Sequence, residues 1–404
     1  MDARGWPSSG VGTLGLELLG DLSRLTDRLV QEIQRDDGRY EAERVADTDL
    51  WGSCHDNLAR VLQTLTGTVP AGADPWDAPR ATGRRRAQQG MPLESVLHAY
   101  RLGGRIIWES LVEAGRRNPK VDVLTLLDGA TGVWEVVDRF SSAVSDAYRA
   151  TETELAQRLG HRQQALLDAL VEGHGRDVAV SAEAARALEL PESGGYLVVT
   201  AAYDPATADL PRSPRDALAV RGLRSAWRIR ADREVGIVAV GPAGAAATVD
   251  LLRRLVPGRA GISSEVAGLA EIGQGYRLAE TALRTLAPGE RGVAWLDDRL
   301  PEALVVGSPE LSGRLARQTF GDLLDLPRPE REVLLGTLDA WFAAGGSPTR
   351  AAERLYCHRN TVLNRLRRVE SLIGRPLATT RSNVGYALAL MALRLLDPPQ
   401  PAAG

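Results

Sequence analysis

The 404-residue sequence predicts a multidomain α+β protein, with an N-terminal helical bundle, a central α/β sandwich and a C-terminal all-α domain. Apolar residues recur at helical spacing almost continuously from Gly15 to Gly173. Strand-like and helical runs then alternate between residues 194 and 300, and helical spacing returns after the proline-rich segment DLPRPER. We therefore predict domains over residues 10–173, 174–300 and 301–396.

The composition is that of an ordinary globular protein, with 44% hydrophobic and 25% charged residues. No run of about 18 apolar residues occurs, and the first residues lack the order of a signal peptide. We expect a cytoplasmic protein that does not contact a membrane. Cys54 and Cys357 are too few for a disulfide framework and are not in a metal-binding spacing, so no metal or cofactor is expected.

Two patterns support the N-terminal helices. Pro92 suits the first turn of a helix whose apolar face would include Val96 and Ile107. A long helix is predicted from near Pro119 to about Leu170. Within it a seam of mostly apolar residues advances by four and three positions over about three heptads: Val133, Val137, Phe140, Val144, Ala147 and Thr151. This spacing fits either a parallel dimer stalk or a helix buried in a bundle.

The central region alternates between two periodicities. Residues 194–204 (GGYLVVTAAYD) and 293–298 (VAWLDD) predict strands, and residues 226–241 predict two strands around a tight turn at 231–233. The intervening segments AGAAATVDLLRRLV and EIGQGYRLAETALRTL have helical spacing. This alternation favours helices packed on a sheet.

Positive charge is concentrated near the C-terminal end. Residues 348–381 contain eight arginines and His358 against Glu353 and Glu370, a local charge of about +6 in a chain whose net charge is -3. A basic patch on an acidic body is typical of proteins that pair locally with nucleic-acid phosphates. A solvated arginine face is the alternative.

The arginine-rich segment predicts two short helices joined by a tight turn. Ser347 and Pro348 suit the N-cap and first position of a helix that ends near Leu355. After a turn at residues 356–358, a second helix is expected from about Arg359 to Leu372 and ends at Gly374. A preceding amphipathic helix over residues 330–344 would support them, with Val333, Leu334, Leu338, Trp341 and Phe342 on its apolar side. This arrangement is a helix-turn-helix.

The second helix has two distinct faces at 100° per residue. Val362, Leu366 and Val369 share the side expected to be buried. Amide and guanidinium groups, which bind adenine and guanine edges in the major groove, occupy the other side. These residues are Asn360, Asn364, Arg367 and Arg368, with Thr361 and Arg365 at its edges and His358 and Arg359 at the helix start. Phosphate contacts suit Arg350, Arg354, Arg375 and Arg381.

The segment AAERLYCHRNTVLNRLRRVESLIGRPL resembles the C-terminal helix-turn-helix of PucR/CdaR-type bacterial transcriptional regulators. Ten residues match its HRNT step and the helix after it: His358, Arg359, Asn360, Thr361, Arg365, Leu366, Arg368, Glu370, Leu372 and Gly374. The resemblance covers about 50 residues and implies binding of double-stranded DNA.

Two further resemblances involve the upstream regions. Residues 194–300 are similar to the GGDEF-like middle domain of such regulators, which implies a degenerate cyclase-like α/β sandwich. GRRRAQQGMPLESVLHAYRLGGRIIWESL is similar to the RsbR-type N-terminal helical domain of actinobacterial members. Together they imply a homo-oligomer, dimeric or higher, that responds to a small-molecule effector or an upstream signal.

Catalysis is not expected. The central hairpin reads RADREVG, and its Asp232 and Glu234 suit a solvated turn better than a Mg²⁺ site.

Cys54, His55 and His98 could form a thiol and imidazole site, but unliganded side chains are the simpler interpretation. Trp51, Trp108 and Trp134 would line a pocket or pack in the core, and the effector site stays unassigned. The rival hypotheses are an active nucleotide cyclase and a stress-signalling interaction protein.

Overall fold

The computed structural model describes residues 11–36, 40, 45–118, 121, 123–202, 214–230, 232–256, 258–287, 289–377 and 383–396. The chain divides into a first unit, Met1–His161, and a second unit, Arg162–Gly404. Each unit has its own buried apolar clusters. Pro119, residues 203–204, Ala231 and Arg381, which figure in the sequence predictions, lie outside the described residues.

Helices build the described part of the first unit. The apolar residues of the second helix, Leu25, Leu29 and Ile33, follow one another at four-residue spacing and are buried. The third helix ends where Gly67 adopts a left-handed conformation, with φ of 70°, and the Thr68 N–H donates to the Gln63 carbonyl at 2.9 Å. The helices are α1 (Val11–Gly20), α2 (Leu22–Asp36), α3 (Asp47–Thr66), α4 (Asp77–Gln88), α5 (Leu93–Arg117) and α6 (Val123–Glu172).

The heptad-like seam of α6 is buried within the first unit. Val133, Phe140 and Val144 belong to the same apolar cluster as residues of α1, α2, α3 and α5, and Thr151 is also buried. Beyond the seam Leu159 is 63% exposed. The seam therefore belongs to a bundle helix, the second of the two interpretations that its spacing allowed, and it is not free to form a dimer stalk.

A mixed five-stranded sheet lies at the centre of the second unit. Its order is β2 (Ser225–Arg230), β3 (Arg233–Ala239), β1 (Tyr196–Ala202), β4 (Arg259–Ile262) and β5 (Gly292–Trp295). The pairs along the sheet are antiparallel except for β4 and β5, which run parallel. The structure has a strand in each of the three predicted regions, and β2 and β3 form the predicted hairpin. The strand predicted over residues 293–298 ends at Trp295, and Leu296–Asp298 form a short 3-10 helix instead. The strand β4 was not predicted from the sequence, because four residues are too short to show a period.

Helices cover both faces of this sheet, so the region is an α/β sandwich as predicted. On one face Tyr196 and Val198 pack with the last turns of α6, with α7 (Val178–Ala187) and with α10 (Ile272–Arg284). On the other face Leu197 and Val199 pack with α8 (Pro214–Ala219) and α9 (Gly244–Leu255). Burial on both sides explains why β1 is apolar at nearly every position.

The last described part of the chain is helical. It contains α11 (Leu300–Gly307), α12 (Pro309–Phe320), α13 (Arg328–Ala343), α14 (Pro348–Arg354), α15 (Arg359–Ile373) and α16 (Asn383–Leu396). Their cluster includes Phe320, Leu338, Val362 and Tyr386. Val333 was predicted on the buried side of α13, but it is 45% exposed, because the buried positions are Leu334, Thr337, Leu338 and Ala340. Among the described helices, none is both long and apolar enough to cross a bilayer.

Gly83 allows α4 to touch the backbone of α6. A Cβ atom at this position would lie 2.4 Å from the Val144 carbonyl oxygen. We expect Gly83→Ala to lower the free energy of unfolding by about 1–3 kcal/mol, because one of the helices must move. Gly52→Ala on α3 is the matched control, since its Cβ would meet nothing within 4 Å. Thermal denaturation of both variants checks this, and equal midpoints would contradict the close approach.

Candidate nucleic-acid interface

The pair of helices α14 and α15 begins with the capping chemistry that the sequence predicts. Ser347 is the N-cap of α14, and its Oγ accepts the Arg350 backbone N–H at 3.4 Å. Pro348 occupies the first helical position, where no N–H is needed. Gly345 and Gly346 precede the cap with φ of 63° and 77° and separate α13 from α14. The chain direction therefore changes sharply just before the pair.

The turn between α14 and α15 presents an aromatic ring that the sequence reasoning did not select. Tyr356 is 97% exposed and has φ of 49°, a left-handed conformation that a tyrosine rarely adopts. The next residue closes the turn, because the Cys357 N–H donates to the Ala352 carbonyl at 3.0 Å. The sequence feature that could have indicated this exposed ring is a large side chain in a tight turn between two basic helices. The ring lies beside the predicted DNA-contacting residues in the chain.

His358 has a structural role at the start of α15. It is the N-cap, and its Nδ1 accepts the Asn360 backbone N–H at 3.2 Å. The side chain is nonetheless exposed, so the other ring nitrogen is available to a ligand. At the far end of α15, Gly374 adopts the left-handed conformation with φ of 70°. The Glu370 carboxylate accepts the Leu377 N–H at 2.9 Å and fixes the chain that follows.

One side of α15 anchors the helix in the C-terminal cluster. Val362 and Val369 are fully buried and Leu366 nearly so, as the helical phase predicts. They pack with residues of α12, α13, α14 and α16. Burying each of these side chains stabilises the fold by about 1.5–3 kcal/mol. The rotation of α15 about its own axis is therefore fixed.

The opposite side of α15 is polar and open to solvent. Thr361 and Arg365 are half-buried at its edges, as predicted, and an Arg365 Nη1 donates to Thr337 Oγ1 at 3.4 Å. Arg368 lies 3.6 Å from the Glu330 carboxylate in an exposed ion pair, which is a weak restraint. The exposed polar side chains of α15 in the predicted set are Arg359, Asn360, Asn364, Arg367 and Arg368.

The arginines predicted to bind phosphate differ in their surroundings. Arg350 and Arg354 on α14 are exposed. Arg375 is exposed too, but its guanidinium donates to the Thr319 carbonyl at 3.3 Å and lies 5.2 Å from the ring centroid of Tyr386. Arg375 therefore connects the end of α15 to α12 and α16. Arg381 lies outside the described residues.

The other candidate sites of the sequence do not assemble a metal centre. Within the described ranges, no three His, Cys, Asp or Glu side chains lie together in a way that could hold a metal ion. His55 stacks on Trp51 with ring centroids 4.8 Å apart, and Cys54 is buried. At the central hairpin Asp232 is exposed, while Glu234 on β3 is half-buried, and this burial raises the pKa of its carboxyl group.

The fold and the exposed face define the C-terminal region as a helix-turn-helix domain. Residues 334–392 match the family described as the PucR C-terminal helix-turn-helix domain. Residues 172–285 match a GGDEF-like domain, and residues 23–163 match the RsbT co-antagonist protein rsbRD N-terminal domain. The chain thus combines these three domain types, and the resemblances noted in the sequence are confirmed.

Two individual proteins are similar to this chain, one over a short segment and the other at low sequence identity. The chain is 37% identical over 68 residues to the purine catabolism regulatory protein of Bacillus subtilis (strain 168). The match covers 17% of this chain and 13% of that protein. A crystal structure of a regulator of polyketide synthase expression from Bifidobacterium adolescentis is 18% identical, with a TM-score of 0.30. That alignment covers 58% of this chain and 97% of the other.

The left-handed conformation of Tyr356 predicts a specific stability change. We expect Tyr356→Gly to raise the free energy of unfolding by about 1 kcal/mol, because glycine adopts this φ without a steric penalty. Tyr356→Ala also removes the ring but keeps the Cβ, so it should give no such gain. Thermal denaturation of the two variants separates the effects. A lower midpoint for the glycine variant than for the alanine variant would contradict the expectation.

Proposed function

We propose that the protein is a cytoplasmic, sequence-specific DNA-binding regulator of transcription. One observation carries this proposal: α15 is held by a buried apolar stripe and presents amides and guanidiniums on its exposed side. A rigid helix with these groups can enter the major groove and form paired hydrogen bonds with adenine and guanine. The match of residues 334–392 to a PucR helix-turn-helix domain supports it.

The predicted residues have two roles in this proposal. Base and nearby phosphate contacts are assigned to α15 and its first turn: His358, Arg359, Asn360, Thr361, Asn364, Arg365, Arg367 and Arg368. Contacts that position the domain on the phosphate backbone are assigned to Arg350, Arg354 and Arg375. The guanidinium of Arg375 also contacts Thr319 and Tyr386, so a phosphate would bind to its remaining N–H donors.

We also propose that the protein acts as a dimer or higher homo-oligomer under the control of a small molecule or an upstream signal. Paired recognition helices meet two half-sites one helical turn of DNA apart, which a single helix-turn-helix cannot do. A ligand or signal would act by shifting the population of chains whose recognition helices are correctly spaced. The domains of residues 10–173 and 174–300 would bind the ligand or receive the signal, and residues 301–396 would bind DNA.

A second candidate function rests on the first unit. Residues 23–163 match a domain named after an RsbT co-antagonist, which favours binding of a protein partner in stress signalling. In that case DNA binding would be secondary. Partner binding that persists while all sequence-selective DNA binding is absent near physiological salt would favour this candidate.

The central domain is proposed to be non-catalytic. Its hairpin carries one exposed and one half-buried acid, Asp232 and Glu234, whereas a cyclase must hold Mg²⁺ between carboxylates and the triphosphate. We expect incubation of the full-length protein with nucleoside triphosphates and Mg²⁺ to yield no cyclic nucleotide by chromatography. Product that disappears in Asp232→Ala or Glu234→Ala would instead establish a cyclase.

Two substitutions separate base reading from phosphate positioning. On a preferred site recovered from genomic DNA fragments, Asn364→Ala should cost about 1–3 kcal/mol and relax the preference at one base position. Arg350→Ala should weaken specific and non-specific DNA alike and reduce the slope of log K against log salt by about 1. Titrations by fluorescence anisotropy at several salt concentrations measure both effects.

Arg254→Ala is the matched control, since Arg254 is an exposed arginine on α9 of the central domain. It should bind DNA like the parent. If Asn364→Ala and Arg350→Ala also bound the preferred site like the parent, the assigned face of α15 would be wrong. If the parent showed no sequence preference at all, the regulator proposal itself would fail.

A further inference from the structure

The helical first unit contains a cavity of about 60 Å³ between α2, α3, α4, α5 and α6. Most of its wall is aliphatic or aromatic carbon, including Leu29, Leu58, Ile107 and Phe140. Trp51, Trp108 and Trp134, the tryptophans considered from the sequence, are not part of this wall. Because a water molecule occupies about 30 Å³ in the liquid, the space suits two waters or a molecule of about three or four non-hydrogen atoms.

Polar groups on the cavity wall bind one another in a short chain. The Tyr100 hydroxyl donates to Asn57 Oδ1 at 2.8 Å, and Asn57 Nδ2 donates to Thr82 Oγ1 and to the Ser53 carbonyl, both at 2.8 Å. Thr82 Oγ1 donates in turn to the Ala78 carbonyl at 3.0 Å. The hydrogens of these groups are therefore used within the protein. Their free hydrogen-bonding capacity consists of oxygen lone pairs, which accept from a donor such as a hydroxyl group.

The charge on the wall is paired with the carboxylate of Asp49, which the more exposed Arg85 also contacts. Arg86 is the one charged side chain among the described lining residues, and it is buried. Its guanidinium donates to Asp49 Oδ2 and Gln89 Oε1, both at 2.6 Å, and to Ser53 Oγ at 3.1 Å. Burial alone would raise the pKa of Asp49, but hydrogen bonds from Gln89 and Arg86 lower it, so the pair stays ionised.

A ligand of either charge would meet an unfavourable environment in this cavity. An anion would lose its hydration without gaining a free cation, because Arg86 is already paired with Asp49. A cation would lie beside the guanidinium. The thiol of Cys54 also lines the wall, and its burial raises the pKa to about 12, so it is neutral at physiological pH. An uncharged molecule avoids each of these costs.

We propose that this cavity binds a small uncharged molecule of the short-chain alcohol class, with about two or three carbon atoms and one hydroxyl group. The carbon chain contacts the apolar wall, and the hydroxyl donates to the oxygens of Tyr100 or Asn57. Since the wall is built from five helices, an occupant favours one packing of the first unit. Any link from this packing to transcription rests on the function proposed above.

The test uses the full-length protein and three probes that share a three-carbon chain: 1-propanol, propionate and propylammonium. Ligand-observed NMR titration should show saturable binding of 1-propanol with a dissociation constant of about 0.1–10 mM, as expected for so few atoms. The two ions should bind about tenfold more weakly or not at all. DNA takes no part in this measurement, so its failure would leave the DNA-binding proposal untouched.

Variants that fill the cavity locate the binding. Gly103→Ala places a methyl group on the wall at an ordinary 3.6 Å from a Leu29 methyl carbon, and Ala99→Val adds two methyl groups from the same helix. Both should weaken 1-propanol binding about tenfold or more, because the free volume is lost. Gly52→Ala is the control, since it adds a methyl group where nothing lies within 4 Å, and it should bind like the parent.

A second readout covers the case in which a filled variant does not fold. In the parent protein, 1-propanol should slow the reaction of the Cys54 thiol with a maleimide, because the occupied cavity opens less often. No saturable 1-propanol binding in the parent would mean that the cavity holds only water. Unchanged affinity in folded Gly103→Ala and Ala99→Val would place the site elsewhere. Tighter binding of propionate would overturn the uncharged class.

Discussion

The outward face of α15 depends on the burial of its inward one. Val362, Leu366 and Val369 lie in the C-terminal cluster, and turning the helix by one residue would expose them while burying amides or guanidiniums. Such a turn would cost several kcal/mol, of the order of the whole stability of a domain. The His358 cap and the left-handed Gly374 also fix where the helix starts and ends. Precise presentation of polar groups thus follows from apolar packing.

The arginines of this region divide between the fold and the surface. Arg375 connects three helices through a carbonyl and an aromatic ring, and Arg365 contacts α13 through Thr337. Arg350 and Arg354 remain exposed on α14. Because arginine offers five N–H donors, one side chain can hold a neighbouring helix and still face a phosphate. Net charge alone therefore overstates how many of these residues are available only to a ligand.

The two upstream regions differ in how they pack their apolar and polar side chains. The central sheet is covered by helices on both faces, so its middle strand β1 is apolar at nearly every position and any ligand surface must lie at the edges or the hairpin of the sheet. The helical unit holds a half-buried polar chain of Tyr100, Asn57 and Thr82 next to a buried arginine, Arg86. Buried polar groups are costly unless they are satisfied, and here they satisfy one another. A core made only of apolar side chains would need none of these polar groups.

Periodicity by itself determined most of the architecture. The three regions, the central hairpin, the two short helices and the buried stripe of α15 were all predictable, because each depends on local spacing, caps or glycine and proline positions. Exposure of Asn364, Arg367 and Arg368 followed from the same helical phase. Local patterns of this kind predict the folded structure because each amphipathic helix must bury its apolar face.

Only the tertiary structure decided the features that depend on neighbours distant in the chain. The strand β4 exists because β1 and β5 pair with it, and the seam of α6 is buried because other helices of the same unit cover it. The exposure of Val333, the contacts of Arg375 and the cavity beside Tyr100 likewise depend on which surfaces meet. Periodicity specifies that a face is buried, whereas long-range packing decides what covers it and what space remains.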